Sequence, residues 1–286
     1  MSNDGSKNTL LLIDGHNLLF QMFYGMPARI RGKNGKLIQA TLGFTGATLK
    51  MINLVNPTHV LVLFDGEHKN ERTEIDAEYK ANRPDMHELE EDENPFSQLQ
   101  DVYNALDVLK ITHLECDVLE ADDFIASYAL TYGKQNKVVI CSADSDFFQL
   151  INENVSVLRY RGNESKILNE SSIFQKYGVS PQVFADFKAL CGDNADNVKG
   201  APLVGPKNAS KLLNEFGSLE NLLTNACTLK EGKIKSSICE HAQKLRQNYG
   251  IIKLECKQAP ALLLEQIEYN RTGHTTKQVL QTLDLM

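Results

Sequence analysis

The sequence predicts an α/β fold: a largely parallel central sheet with flanking helices, followed by a helical subdomain. Three observations carry that reading. Short aliphatic runs alternate with amphipathic stretches over the first two-thirds of the chain, the rhythm of strand–helix–strand units around a parallel sheet. Three of those runs lead into an aspartate. Beyond about residue 170 the strand signal fades and helical spacing takes over.

Thr9–Ile13, Val60–Phe64 and Val138–Cys141 are short, rich in aliphatic and β-branched residues, and bounded by polar ones. They read as buried strands. Ile38–Val55, Phe96–Leu109 and Ala121–Tyr132 repeat apolar residues at spacings of three and four, so they read as helices. Ser180-Pro181 opens a helix that continues through Phe184, Phe187 and Leu190. A Gly/Pro-rich hairpin from Lys199 to Pro206 leads into a second helix, Pro206 to Phe216, with Gly217 as its stop. This organisation gives an α/β core over 1–169, a helical subdomain over 170–255 and a C-terminal segment, 256–286, packing on the core. The connection at 67–95 is long, and its 67–93 portion holds eleven acids and four bases. Connections of that length are functional or mobile.

With 286 residues, 42% of them hydrophobic, the chain can bury a large core. No apolar run approaches the ~18 residues of a membrane span, and the polar, acidic N-terminus is not a secretory signal. Six Cys show neither a Cys-x-x-Cys pair nor zinc-finger spacing, which fits reduced thiols in a cytosol. Disulfide scaffold, collagen-like, membrane and disordered classes are excluded. The 30 Lys+Arg against 37 Asp+Glu leave −7. That balance argues against a nucleic-acid partner only if the acids are spread over the surface.

They are not spread evenly. The three strand-end acids are Asp14, Asp65 and Asp144, with Asp146 two residues on. In an open parallel sheet, ligands sit beyond the carboxyl ends of the strands. One aspartate there is commonly a helix N-cap; three are harder to dismiss. Glu120, Asp122 and Asp123 open a helix, where acids also complement the dipole. Asp193 and Asp196 stand in a polar turn. Nine carboxylates meeting in one place would repel strongly, a cluster tolerable only with cations inside it. Oxygen-only ligands favour Mg²⁺ or Mn²⁺ over zinc. Two such ions about 4 Å apart stabilise both the attacking and the leaving oxygen of a phosphoryl displacement. The residues themselves thus point to a two-metal phosphodiester or phosphomonoester hydrolase. Competing motifs fail: Gly200–Lys207 has Pro206 before its Lys and no Ser/Thr after it, and neither Gly-x-Gly-x-x-Gly nor Gly-x-Ser-x-Gly occurs.

Two basic groups complement the acids. Lys199, Lys207 and Lys211 have no acid among them, and Gly200 and Gly205 permit close backbone approach beside a helix N-terminus. Such a hairpin grips a duplex backbone without reading bases. Lys80 and Arg83, three apart, can share one helical face and reach a phosphate together.

Leu-Ile-Asp14-Gly-His-Asn, Phe64-Asp65, Tyr-Lys80-Ala-Asn-Arg83-Pro, Glu120-Ala-Asp-Asp123, Ala-Asp144-Ser-Asp146 and Gly-Asp193-Asn-Ala-Asp196-Asn together resemble the bacterial and phage 5′ nucleases. These are the flap endonucleases and the 5′→3′ exonuclease domain of DNA polymerase I. The six motifs stand in family order over about residues 8–250. The resemblance implies a PIN-like core, an arch at about 67–95 and a helix–three-turn–helix around the hairpin. It implies two divalent cations, the first among Asp14, Asp65, Glu120, Asp122 and Asp123, the second among Asp144, Asp146, Asp193 and Asp196. Lys80 and Arg83 would contact the scissile phosphate, acting with Asp14, Asp123 and Asp144. Phe20 would stack on the terminal or flipped base. The hairpin residues Lys199, Gly200, Gly205, Lys207 and Lys211 would hold the downstream duplex, with K⁺ on backbone carbonyls. The implied substrate is branched or 5′-ended duplex DNA bearing a single-stranded 5′ flap. The implied setting is a stand-alone monomer in the bacterial cytosol, acting in Okazaki fragment processing, replication and repair. One departure is the acidic run after Arg83, unexpected in an arch that passes a single strand. The rival readings are a non-catalytic or RNA-directed relative that binds branched nucleic acid, and a small-molecule phosphatase.

Overall fold

The computed structural model describes residues 8–66, 72, 75, 76, 78–82 and 89–286. Its framework is a six-stranded sheet of β1 (Thr9–Asp14), β2 (His59–Asp65), β3 (Thr112–Cys116), β4 (Lys137–Cys141), β5 (Val155–Arg159) and β6 (Lys166–Leu168), in the order β3-β2-β1-β4-β5-β6. All neighbours pair in parallel except β5 with β6. This is the predicted, mostly parallel sheet.

β1 lies at the centre, with Leu12 opposite Leu61 on one side and Ile140 on the other. Successive strand residues face opposite sides. Leu10 and Leu12 therefore enter one core, Leu11 and Ile13 the other. α4 (Ala121–Tyr132) and the helical half cover the first face. α1 (Gly15–Gly25), α2 (Gln39–Val55), α3 (Leu99–Val108) and α11 (Thr276–Thr282) cover the second. Full burial of each such aliphatic side chain stabilises the fold by roughly 1.5–3 kcal/mol.

The helical half comprises α5 (Glu170–Tyr177), α6 (Phe184–Cys191), a two-stranded ribbon of β7 (Gly192–Asp193) and β8 (Val198–Lys199), α7 (Pro206–Phe216), α8 (Leu219–Thr224), α9 (Lys233–Glu240) and α10 (Ala242–Ile252). The helix expected from Ser180 is split: Pro181–Val183 is a 3-10 turn and α6 follows it. α7 starts with Pro206 at its first position and ends at Gly217 in the left-handed conformation, φ 79°, the geometry a C-terminal glycine supplies. Asn248 on α10 donates to the carbonyls of Ala189 (3.2 Å) and Lys199 (2.9 Å), tying the end of α6 to the hairpin.

The C-terminal residues meet the core at β2 and α2. Tyr269 N–H donates to the Thr58 carbonyl at 2.8 Å, and His59 bridges Glu268. Arg271 donates to the Ile52 carbonyl and the Asn53 side chain near the end of α2.

Candidate metal centre

The three central strands point their C-terminal ends the same way, and each delivers a carboxylate there. Asp14 and Asp65 end β1 and β2, and Asp144 follows β4. Asp14 both caps a helix and faces the centre. Its Oδ1 accepts from Asn17 N–H at 3.0 Å and its Oδ2 from Ser142 Oγ at 2.8 Å. α1 can start at this point because residue 15 is glycine; a Cβ there would lie 2.5 Å from the Phe64 ring. Asp65 accepts from Ala121 N–H at 2.7 Å and faces His16 Nδ1 at 3.4 Å. α4 then supplies Glu120 at its N-cap, with Asp122 and the buried Asp123 in its first turn. From the helical half, Asp193 and Asp196 approach Asp146. Each of these three offers an oxygen within 4.8 Å of the other two.

Burial and like charge shift several of these carboxyls. Burial raises the Asp14 carboxyl well above its usual range, and Asp122 and Asp65 push it further. Asp122 is driven up to about 7, by burial first and then by Asp144 and Asp65. Asp146 also reaches about 7: burial drives it, Lys188 opposes, and Asp144 and Asp196 add to it. Asp65 differs. Burial works against its charge, but the hydrogen bonds from His16 and Ala121 outweigh it and hold the carboxyl down at about 2.

Side chains that the motifs did not single out supply positive charge. The buried Arg72 pairs with Glu120, donates to Asp123 at 3.1 Å and lies 3.9 Å from Asp122. The buried Lys188 bridges Asp146 and Asp193. Lys257 stands 3.6 Å from Asp123. For Lys188 a signal existed: with Asp186 it interrupts the run Phe184–Leu190, whose other residues are apolar, just before Gly-Asp193. Arg72 lay within the acidic connection without periodicity to mark it.

The donor set suits divalent cations of the magnesium type. All the candidate ligand atoms are carboxylate oxygens, two of the carboxyls are pushed to about 7 by burial and like charge, and three converge within 4.8 Å. Hard cations take oxygen ligands of this kind. A pH dependence follows. A carboxyl whose folded-state pKa is raised contributes stability fully only below its unfolded pKa, and that contribution is lost as pH rises through the folded value. For Asp122 and Asp146 the window runs from the ordinary 3.8 to about 7. In EDTA the melting temperature should fall across that window; in Mg²⁺ the fall should shrink, because binding displaces the protons. Parallel melting curves in EDTA and Mg²⁺ would contradict this.

Lys80 reaches the same centre. Its Nζ donates to Glu120 at 2.7 Å and its N–H to the Asp196 carbonyl at 3.1 Å. The helical face expected for Lys80 and Arg83 is corrected here: residues 78–82 form turns and Lys80 has φ 55°. A residue in the left-handed region belongs to a turn, so helical spacing does not place its side chain. Arg83 and Glu88 lie outside the described residues, as does most of 67–88.

Phe20 is half-buried on α1, on the face that also carries His16 and Tyr24. Its ring meets Phe96 at 5.5 Å, so an aromatic ridge leaves the acidic centre. Lys207 and Lys211 are exposed one turn apart on α7. Lys199 is exposed and pairs with Glu78 at 3.2 Å. Gly200 serves the chain's own backbone, since a Cβ there would lie 2.3 Å from the Leu190 carbonyl; Gly205, the N-cap of α7, borders open space. At the described end of the acidic run, Asp92 pairs with Arg31, and Glu91 with Lys36 at 3.1 Å.

Residues 9–178 match the family model of the 5′-3′ exonuclease N-terminal resolvase-like domain, and residues 179–274 that of the 5′-3′ exonuclease C-terminal SAM fold. The chain is 35% identical over 241 residues to the thermostable DNA polymerase I of Thermus thermophilus, covering 84% of this chain and 28% of the relative. It is 34% identical over 257 residues to DNA polymerase I of Mycobacterium tuberculosis, covering 88% and 28%. The chain thus spans little more than a quarter of those relatives. Bacteriophage T5 5′-exonuclease with divalent metal ions (zinc) bound has a similar fold, with a TM-score of 0.72, 21% identity, and 85% of this chain and 89% of that one covered. The catalytic core of Rad2 in complex with DNA substrate aligns at a TM-score of 0.56 with 14% identity, over 98% and 92%. No helix among the described residues is long and apolar enough to cross a membrane. The matched models cover the chain almost end to end, and it belongs to the 5′-3′ exonuclease family.

Proposed function

We propose that this chain is a structure-specific 5′ nuclease, a 5′-flap endonuclease and 5′→3′ exonuclease that hydrolyses DNA phosphodiesters with two Mg²⁺ or Mn²⁺ ions. The observation that carries the reading is one acidic centre fed by three parallel strand ends, the start of α4 and the β7–β8 ribbon. Asp14, Asp65, Glu120, Asp122 and Asp123 would hold one ion, and Asp144, Asp146, Asp193 and Asp196 the other. When bound, such ions stabilise charge on both oxygens of a phosphoryl displacement. The chain's own residues do the positioning. Lys80, at the base of the connection 67–95, supplies a cation beside Glu120 for the scissile phosphate; Arg83 is its proposed partner there. Phe20 and the aromatic ridge offer a stacking face to an unpaired base. The hairpin, with Lys199, Lys207, Lys211 and the start of α7 at Gly205, holds the duplex through its backbone. K⁺ on hairpin carbonyls, a monomeric state, a bacterial cytosolic location and a role in Okazaki fragment processing and repair belong to the same proposal. So do a core over 1–169 and a duplex-holding subdomain over 170–255.

An end-labelled 5′-flap duplex tests it. The expected result is Mg²⁺-dependent release of the flap near the junction, blocked by EDTA, with slower release from an RNA flap. Binding without cleavage would favour the non-catalytic relative, and preference for RNA the RNA-directed one. Lys80→Ala should slow single-turnover cleavage by about 10–100-fold with little change in DNA affinity. A pure affinity loss at an unchanged single-turnover rate would contradict the role given to Lys80.

A further inference from the structure

Along the C-terminal edge of the sheet, charge changes sign. β5 runs parallel to β4, so Arg159, its last residue, stands on the edge that carries Asp144. Around Arg159 opens a cavity of about 540 Å³ lined by Arg161, Lys166 and Lys176, with Glu164 as its one acid. That volume lies within the ~300–1,000 Å³ of small-molecule sites. Tyr177 gives the cavity an aromatic wall, and the fully buried Phe148 lies behind Arg159. Phe148 belongs to the 3-10 turn Asp146–Leu150 that begins at the metal centre, so the two sites share one turn.

Two of the cations have ordinary explanations. Lys176 in the last turn of α5 complements the helix dipole, and Lys166 sits on the edge strand β6, where lysine discourages pairing with another chain. Neither explanation covers Arg159. Its Nη2 donates to the Ala143 carbonyl at 3.0 Å and its guanidinium lies 4.7 Å from the Phe148 ring centroid, yet its Nε is buried without a partner among the described residues. Buried polar groups normally find one. None of the four cations forms an ion pair with a carboxylate among the described residues.

We propose that this cavity binds the terminal phosphate of a 5′-phosphorylated nucleotide. Four cations exceed what one backbone diester demands, whereas a terminal phosphomonoester carries about −1.5 to −2 at pH 7. Arginine suits it because its planar fork engages phosphate oxygens in pairs. The aromatic and aliphatic walls suit the nucleoside beside the phosphate. The inference rests on the nuclease reading only in naming the 5′ end, the terminus such hydrolysis would leave phosphorylated. The source is a strand end or a free mononucleotide.

The test is fluorescence anisotropy of the full chain in Ca²⁺ with a short single-stranded oligonucleotide carrying either a 5′-phosphate or a 5′-hydroxyl, with dAMP as competitor. The phosphorylated strand should bind about tenfold more tightly. That preference should vanish in Arg159→Gln and in the double variant Arg161→Gln/Lys176→Gln, whose exposed positions put folding at little risk. With the preference established, displacement by dAMP assigns the site to mononucleotides, and failure of dAMP to displace assigns it to strand ends. Equal affinity for the two strands, or a preference that survives both variants, would overturn the proposal. Mg²⁺-dependent cleavage of a 5′-hydroxyl flap, measured on the same samples, should not change in the double variant. If the unaltered chain cleaves nothing, the nuclease reading fails while the binding result stands on its own.

Discussion

Asp144→Asn should lower cleavage of a 5′ flap in Mg²⁺ by about 10³-fold or more, while DNA affinity in Ca²⁺ stays nearly unchanged. The substitution is close to isosteric, and its Oδ1 can still accept the Asp146 N–H, now 2.8 Å away. What disappears is a full negative charge facing Asp122 and Asp146. Ion-mediated charge stabilisation is worth several kcal/mol in such reactions, and each ~1.4 kcal/mol is a factor of ten in rate. The same loss relieves repulsion in the metal-free protein, so the variant should melt at a higher temperature than the unaltered chain in EDTA. A merely structural aspartate would give the opposite sign. Full activity, or a lower melting temperature in EDTA, would remove Asp144 from the metal centre.

Lys188→Met should destabilise the metal-free protein by about 3–5 kcal/mol, the usual consequence of taking one partner from a buried ion pair. Lys188 is 6% exposed on the wholly buried stretch of α6 and bridges Asp146 and Asp193. Without its ammonium those two carboxylates face each other and Asp196. For a chain of this size the melting temperature in EDTA should drop by roughly 6–15 °C. Mg²⁺ should recover more of the loss in the variant than it adds to the unaltered chain, because the ion replaces the missing charge. An unchanged melting temperature in EDTA would mean that Lys188 does not balance those acids.

What could be read from the sequence follows from how strongly each element was specified locally. β1, β2 and β4 are buried on both faces, so their runs are almost wholly aliphatic and legible. β3, Thr-His-Leu-Glu-Cys, is an edge strand with only Cys116 buried, and β5 mixes Ser156 and Arg159 into its run; neither stood out. α4 and α7 matched their expected bounds because acids or proline mark their starts and glycine their ends. α1 was hidden by its own cap: Asp14 is the N-cap, and the residue read as a ligand is also the one that starts the helix. At the candidate site the acids were legible, since strand ends and a helix start announce where side chains go. Of the cations, Lys80 was named but its geometry was not, and Arg72 and Lys188 were not named. Arg72 and Lys188 act through long side chains whose reach depends on tertiary packing, and Lys80 arrives by a left-handed turn that spacing rules do not anticipate.

Mn²⁺ titration of the full chain, followed by electron paramagnetic resonance and calorimetry, tests most directly whether these carboxylates form one ion-binding centre. Two bound ions are expected per chain. One should be lost in Asp193→Asn/Asp196→Asn and the other weakened in Asp123→Asn, with proton release at pH near 7 in the unaltered chain. No stoichiometric binding, or two ions unaffected by these substitutions, would contradict the account.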